Sequence, residues 1–341
     1  MLNKHTSDSM FKRISFLFLC LLSTTFVYAQ DGRMNLSIEA RADFQKMYIN
    51  DQYIPSESGF KGKLFNLRMS GKLGDNFSYN IRHRLNQPAQ NSSAFDATDF
   101  LLLSYDTEKW RISAGKTAFM VGGYEYDLAP IDFYYCSEFC YNIPCYQFGV
   151  SATRKVGANE FTLQISSSPF QTAAKDNYGY NFFWSGNYEH FESLYSVNFI
   201  EYAPGKFLNY IALGNKFKLG KFTAMIDLMN RSSIRYFSLG EDITGIMKLC
   251  YSPDETLNVF TKCSVDINHS GEDFDTCVYS GTEIVKFGAG VEIWPFKNIG
   301  KNLRFHGIVH YAKGTNTNPN GGLRPGELYI NMGLTWRFRF I

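Results

Sequence analysis

From position 35 to 45 apolar and polar residues alternate without a break. Leu36, Ile38, Ala40, Ala42 and Phe44 fall on one side, and Asn35, Ser37, Glu39, Arg41, Asp43 and Gln45 on the other. A period of two predicts a strand. Its length exceeds the roughly 5–6 residues usual in water-soluble sheets and suits the about 9–11 residues a tilted strand needs to cross a bilayer. The form recurs at 77–86, with Phe77, Tyr79, Ile81 and Leu85 against Ser78, Asn80, Arg82, Arg84 and Asn86. It recurs again at 328–340, where Leu328, Ile330, Met332, Leu334, Trp336, Phe338 and Phe340 alternate with polar residues and glycine.

Segments of this kind cover 34–46, 61–73, 77–87, 95–106, 109–117, 146–154, 160–168, 180–188, 193–202, 207–217, 221–230, 241–251, 256–266, 282–294, 302–312 and 327–340. The eighth is the least regular. They make sixteen, the even number a bacterial barrel needs when both termini lie on the periplasmic side. The connectors alternate long and short. Gly74-Asp75-Asn76, Thr107-Glu108, Leu219-Gly220 and Ser252-Pro253-Asp254-Glu255 are short, whereas 47–60, 118–145, 267–281 and 313–326 are long. Short periplasmic turns and longer outer loops produce that rhythm; 203–206 breaks it. Phe77, Tyr105, Trp110, Phe161, Tyr251 and Phe338 sit beside the short turns, as an interfacial girdle requires. The fold expected is all-β, a transmembrane antiparallel β-barrel of about 16 strands. A secreted β-sandwich also alternates, but it explains sixteen long segments poorly.

Composition agrees. Aromatics are 17% and charged residues 19%, a mix that suits strands more than helices. Lys12 and Arg13, the apolar run 14–22 and Val27-Tyr28-Ala29 describe a secretory leader. Cleavage is expected after Ala29, with residues 30–341 forming the barrel. An anchor helix is the competing reading. A lipid-modified Cys20 fits less well, since Phe18-Leu19 before it are not small. Cutting after Ala29 removes Lys4, Asp8, Lys12 and Arg13 and leaves equal numbers of acidic and basic residues. No later stretch is apolar for the about 18 residues a helix needs to span a bilayer. Nothing in the charge suggests nucleic acid.

If the apolar face meets lipid, the alternate face meets water. On that face parity places Arg41, Arg68, Lys72, Arg82, Arg84, Arg111, Arg154, Lys248, Lys262, Lys286, Arg304, Arg337 and Arg339, against Glu39, Asp43, Asp227, Asp266 and Glu292. Acids are then expected in loops and turns, at Glu57, Asp75, Glu108, Asp127, Asp254, Glu272, Asp273 and Asp275. A basic lumen concentrates anions, and guanidinium forks match phosphate and carboxylate oxygens. The same arginines would also brace the wall by pairing with acids. The longest connector, 118–145, is the third outer loop and is too aromatic for a solvated tether. It is expected to fold inward and constrict the lumen, with Tyr124, Glu125, Tyr126, Asp127, Tyr134 and Tyr135 towards solute. An external lid is the alternative.

The run Arg111-Ile-Ser-Ala-Gly-Lys116, then Gly122-Gly-Tyr-Glu125 with the aromatic stretch to Tyr135, then Phe148-Gly-Val150, resembles the phosphate-selective porin O and P family, as does Lys286-Phe-Gly-Ala-Gly-Val-Glu292. The resemblance implies a sixteen-stranded barrel, commonly a homotrimer, with an inward third loop and a basic anion path. Only the third loop carries over by position; the arginines above rest on parity.

Six cysteines follow the leader: Cys136, Cys140, Cys145, Cys250, Cys263 and Cys277. An even count in an exported chain favours disulfides. A bridge among the first three would stiffen the third loop, and Cys250 and Cys263 flank a short turn. The spacing of the first three is not that of a zinc ribbon, so neither metal nor cofactor is expected. Gly-x-Ser-x-Gly, His-Glu-x-x-His and a phosphate-binding glycine loop are missing. His306 and His310 share the polar face with Arg304 and read best as hydrogen-bonded wall. The expectation is therefore a water-filled, anion-preferring channel for small solutes, phosphate among them, embedded in outer-membrane lipid. A closed structural or adhesin-type barrel and a barrel hydrolase are the other classes.

Overall fold

Backbone groups that cross a bilayer find no water to bond, so strands can span it only if every ladder is completed. The computed structural model, which describes residues 34–87, 93–170, 176–233, 238–272 and 274–340, completes them. The expected leader with its cleavage point after Ala29, Cys20, Asp273 and Ile341 lie outside the described residues. Among those described, sixteen strands form the wall. They are β1 (Met34–Ile49), β2 (Gly59–Leu73), β3 (Phe77–Arg84), β4 (Thr98–Asp106), β5 (Trp110–Ala118), β6 (Tyr146–Val156), β7 (Asn159–Ser167) and β8 (Tyr178–Asn187). The second half comprises β9 (Phe191–Ala203), β10 (Lys206–Leu219), β11 (Phe222–Ser233), β12 (Asp242–Asp254), β13 (Leu257–Asn268), β14 (Glu283–Ile293), β15 (Leu303–Thr315) and β16 (Glu327–Arg339). A two-residue strand, Gln52–Tyr53, folds back on β1 within the first loop.

Each strand pairs antiparallel with the next, and β1 closes on β16 from Ser37 opposite Arg339 to Ile49 opposite Glu327. The least regular segment, 180–188, is β8. Connector lengths alternate with two exceptions. Residues 204–205 make a tight turn on the long-loop side, and 294–302 make a longer link on the turn side, around the 3-10 segment Lys297–Asn302 with Gly300 at φ 56°.

The alternation is inside out relative to a soluble protein. On β7, Phe161, Leu163 and Ile165 are exposed while Thr162, Gln164 and Ser166 are buried. On β14, Val285 and Phe287 are exposed while Lys286 and Glu292 are buried. An outward apolar band around a polar interior has its low free energy in lipid, not water. Phe77, Tyr105, Trp110, Phe161, Tyr251 and Phe338 all face outward beside the short turns, where their rings suit the membrane–water boundary.

The outward face predicts a depth-dependent cost for charge. Leu163→Arg, at the middle of β7, should destabilise the barrel by about 2–4 kcal/mol, and Val156→Arg, beside a turn, by about 0–1 kcal/mol. Urea unfolding in lipid vesicles measures both.

Candidate functional site

The third outer loop, 119–145, starts where the β5–β6 ladder ends, at the Phe119 amide bonded to the Cys145 carbonyl at 2.7 Å. It then runs along the inner wall. Phe119 is fully buried against Gly179 of β8, where a Cβ would lie 2.3 Å from its ring. The Met120 amide donates to Gln164 at 2.8 Å, Asn198 donates to the Met120 carbonyl at 2.7 Å, and the Gly122 amide donates to the Ser196 hydroxyl at 2.8 Å. Backbone touches backbone at this point. A Cβ on Gly122 would stand 2.5 Å from the Leu194 carbonyl oxygen, and one on Gly214 of β10 would stand 2.6 Å from the Gly123 Cα. Only glycine permits that approach.

Two wall carboxylates then take up loop amides. Asp227 accepts from the Tyr124 and Glu125 amides at 2.9 and 2.8 Å. Asp266 accepts from the Glu138 and Phe139 amides at 2.8 and 3.3 Å, at the start of a short helix, α1 (Glu138–Asn142), whose N-cap is Ser137. Amide donors to an ionised acceptor are among the stronger hydrogen bonds. Glu125 sits between, bonded to Lys262 of β13 and to both the amide and hydroxyl of Ser137. On the far side the loop meets β14–β16 and β1. Asp132 pairs with Arg304 at 2.8 Å and with Arg337 at 3.0 Å, and Arg41 donates to the carbonyls of Ile131 and Phe133. The Tyr134 hydroxyl donates to Glu292 at 2.5 Å, and its ring lies beneath the guanidiniums of Arg41 and Arg304, 4.9 and 5.3 Å from them. The loop thus contacts inner-wall residues from β7 round to β1.

Of the loop residues singled out from sequence, Tyr124, Glu125 and Tyr135 are buried in these contacts, and Tyr126 packs against Phe139 of α1. Their expected exposure to solute does not hold, because the loop turns them onto the wall. Asp127 is exposed and Tyr134 half-buried. Asp132 was not singled out, although a lone carboxylate after Pro130 in an aromatic stretch is a signal that marks it.

The basic residues divide into three groups. Arg41, Arg82, Lys262, Lys286 and Arg304 are buried inward; Arg82 is fixed by Asp99 at 3.0 Å and by Tyr146. Arg68, Arg84, Arg111 and Arg337 face inward and keep contact with water. Lys248 is also inward, 4.5 Å above the Phe260 ring, while Lys72 and Arg339 lie on the inward register near the turns. Arg154 is a correction. On β6 the buried side chains are Gln147, Ser151 and Thr153, and the exposed ones are Phe148, Val150 and Val156, so Arg154 faces outward. Sequence parity missed Lys155 and Asp106, which pair inside at 3.2 Å, and Arg231, fully buried between Asp242 and Asp275. It also missed Asp99, which a register shift at Arg82/His83 turns inward.

Exposure differs sharply around two of the wall carboxylates. Glu39 is 2% exposed, whereas its partners Arg68 and Arg337 are 41% and 27% exposed. Asp99 is 2% exposed and its partner Arg84 26%. The carboxylates lie against the wall and the guanidiniums stand in front of them.

The disulfide expectation is also corrected. All six cysteines are free thiols. Cys250 lies opposite Phe260 on the inward register, and Cys263 opposite Met247 on the outward one, so the wall separates them. Hydrogen bonding with Cys136, together with burial, pushes the Cys140 thiol well up, and burial does the same to Cys277. Cys145 is pushed up to about 11, chiefly by burial. His306 bonds Asn331 at 2.9 Å and its ring packs on Tyr134, while His310 packs on Tyr135 and Tyr329.

A family model described as phosphate-selective porin O and P matches residues 34–210. No curated protein sequence matches the chain. Among solved structures, an anion-selective porin from Comamonas acidovorans is similar at 10% identity and a TM-score of 0.62, over 89% of this chain and 99% of that one. OmpF of Salmonella typhi in complex with daunomycin is similar at 11% identity and a TM-score of 0.61, over 91% and 99%. The trimer form of OmpT from Vibrio cholerae gives 9% identity and a TM-score of 0.56, over 90% and 100%. At such identities the likeness is one of fold.

The wall carboxylates predict how the third loop is released. Asp227→Ala removes the acceptor of two loop amides, each hydrogen bond to a charged group being worth about 1.5–3 kcal/mol. Limited proteolysis should then cut within 119–145 while the barrel persists, with Asp227→Asn intermediate.

Proposed function

The chain belongs to the phosphate-selective porin O and P family and is an outer-membrane porin; from that premise we propose a water-filled, anion-preferring channel narrowed by the third outer loop. Family and fold are those of a channel rather than an enzyme. One observation carries the anion preference: in the Arg68–Glu39–Arg337 and Arg84–Asp99 pairings the bases are exposed and their carboxylates are buried. Arg68, Arg84 and Arg337 present N–H groups to solute, while Glu39 and Asp99 behind them hold the guanidiniums in place. A solute therefore meets positive potential, although the inner wall holds many acids. A water-excluded wall focuses such a field. The solutes are small anions, phosphate among them, because guanidinium forks fit phosphate and carboxylate oxygens in pairs.

In this reading the third loop sets the width of the path, with Asp132 tied to the wall by Arg304 and Arg337. The trimer form among the structural neighbours supports a homotrimer. Removal of a leader ending at Ala29 is the export step that belongs with an outer-membrane barrel.

Arg68→Gln with Arg84→Gln tests the charge argument without stranding a buried acid, since Glu39 keeps Arg337 and Asp99 keeps Arg82. Liposome swelling should show wild-type protein admitting a small dicarboxylate faster than a diamine of equal size, and the double variant should lose most of that difference. Equal rates for both solutes in the wild type would remove the anion preference.

A further inference from the structure

Arg154 is a charged side chain on the outward face of the turn-side half of the wall. It sits two residues before β6 ends at Val156. Its cross-strand neighbours are Trp110 on β5 and Phe161 on β7. The guanidinium lies over the Trp110 ring, 4.9 Å from its centre. The nearby Asp106 faces the lumen, where Arg111 and Lys155 hold it. A permanently charged group thus stands on an apolar surface at the level of the aromatic girdle, with one face covered by an indole and the adjacent Asp106 taken by other bases. At that depth an outward arginine is tolerated, and the ligand the bilayer offers there is a lipid phosphate.

We infer that Arg154, backed by Trp110, binds the phosphodiester headgroup of an inner-leaflet anionic phospholipid. The planar fork takes two phosphate oxygens together, which an ammonium does not. The indole holds the fork at headgroup height, and Phe161 and Ile112, both outward, flank the first acyl carbons. The inference rests on the outer-membrane reading and is independent of what the lumen conducts.

Delipidated barrel in detergent, titrated with phosphatidylglycerol and read by native mass spectrometry, gives the affinity for the first bound lipid. Arg154→Ala should weaken it about fivefold, the factor expected for one basic group at an anionic surface. Arg154→Lys should fall between, since it keeps the charge and loses the fork. Inorganic phosphate should not displace the lipid. Equal affinity in wild type and both variants overturns the inference. So does displacement by free phosphate, which would make the site a general anion site. A changed oligomeric state with unchanged lipid affinity also overturns it, and assigns Arg154 to a contact between copies. Heat-modifiable gel migration establishes that each variant is folded. Conductance recorded on the same samples separates the two readings, since a wild-type barrel that binds lipid and does not conduct contradicts the porin alone.

Discussion

The pairing of β1 with β16 is the interaction on which the rest of the structure depends. An open sixteen-stranded sheet would leave two rows of amides and carbonyls facing hydrocarbon, each unsatisfied group costing several kcal/mol. Closure removes both edges. It also fixes the meaning of every side chain, because a ring of strands has one face in lipid and one face around a lumen. The period of two then sorts the sequence: Leu163 and Phe287 outward, Gln164 and Lys286 inward. Apolar burial between layers, the usual source of a soluble protein's core, is confined here mainly to the clusters that the third loop and outer loops make with the wall.

A polar interior creates its own problem. Buried charge is tolerated only when paired and hydrogen-bonded. The barrel meets this with ladders that alternate base and acid across strands, such as Arg68–Glu39–Arg337 and Arg82–Asp99–Arg84. The third loop is held by the same means, with its amides on Asp227 and Asp266 and its Asp132 on Arg304 and Arg337. Bracing and selectivity are therefore not alternatives. In the proposed channel, the buried carboxylates of Glu39 and Asp99 position the guanidiniums and leave Arg68, Arg84 and Arg337 as the charges a solute meets.

Strand number, closure and the inward parity of most basic residues were legible because period two survives over long segments. The errors have local causes. Arg154 was placed inward because it is charged, although Phe148, Val150 and Ala152 before it already set the outward parity. Asp99 was missed because the register shift beside it leaves no mark in the alternation. Arg231 lay one residue beyond the segment read as a strand, and its partner Asp275 comes from an outer loop. Cysteine count suggested bridges, but which face a cysteine occupies follows from register, and register across the turn puts Cys250 and Cys263 on opposite sides of the wall. The loop's contacts with the wall depend on Gly122 and Gly214, whose role appears only when two backbones are brought together.

The zero-current potential of the wild-type channel across a potassium chloride gradient tests the central claim most directly. Guanidiniums standing in front of buried carboxylates predict a potential displaced towards the chloride equilibrium value. A displacement towards the potassium value, or no conductance from folded barrel, would contradict it.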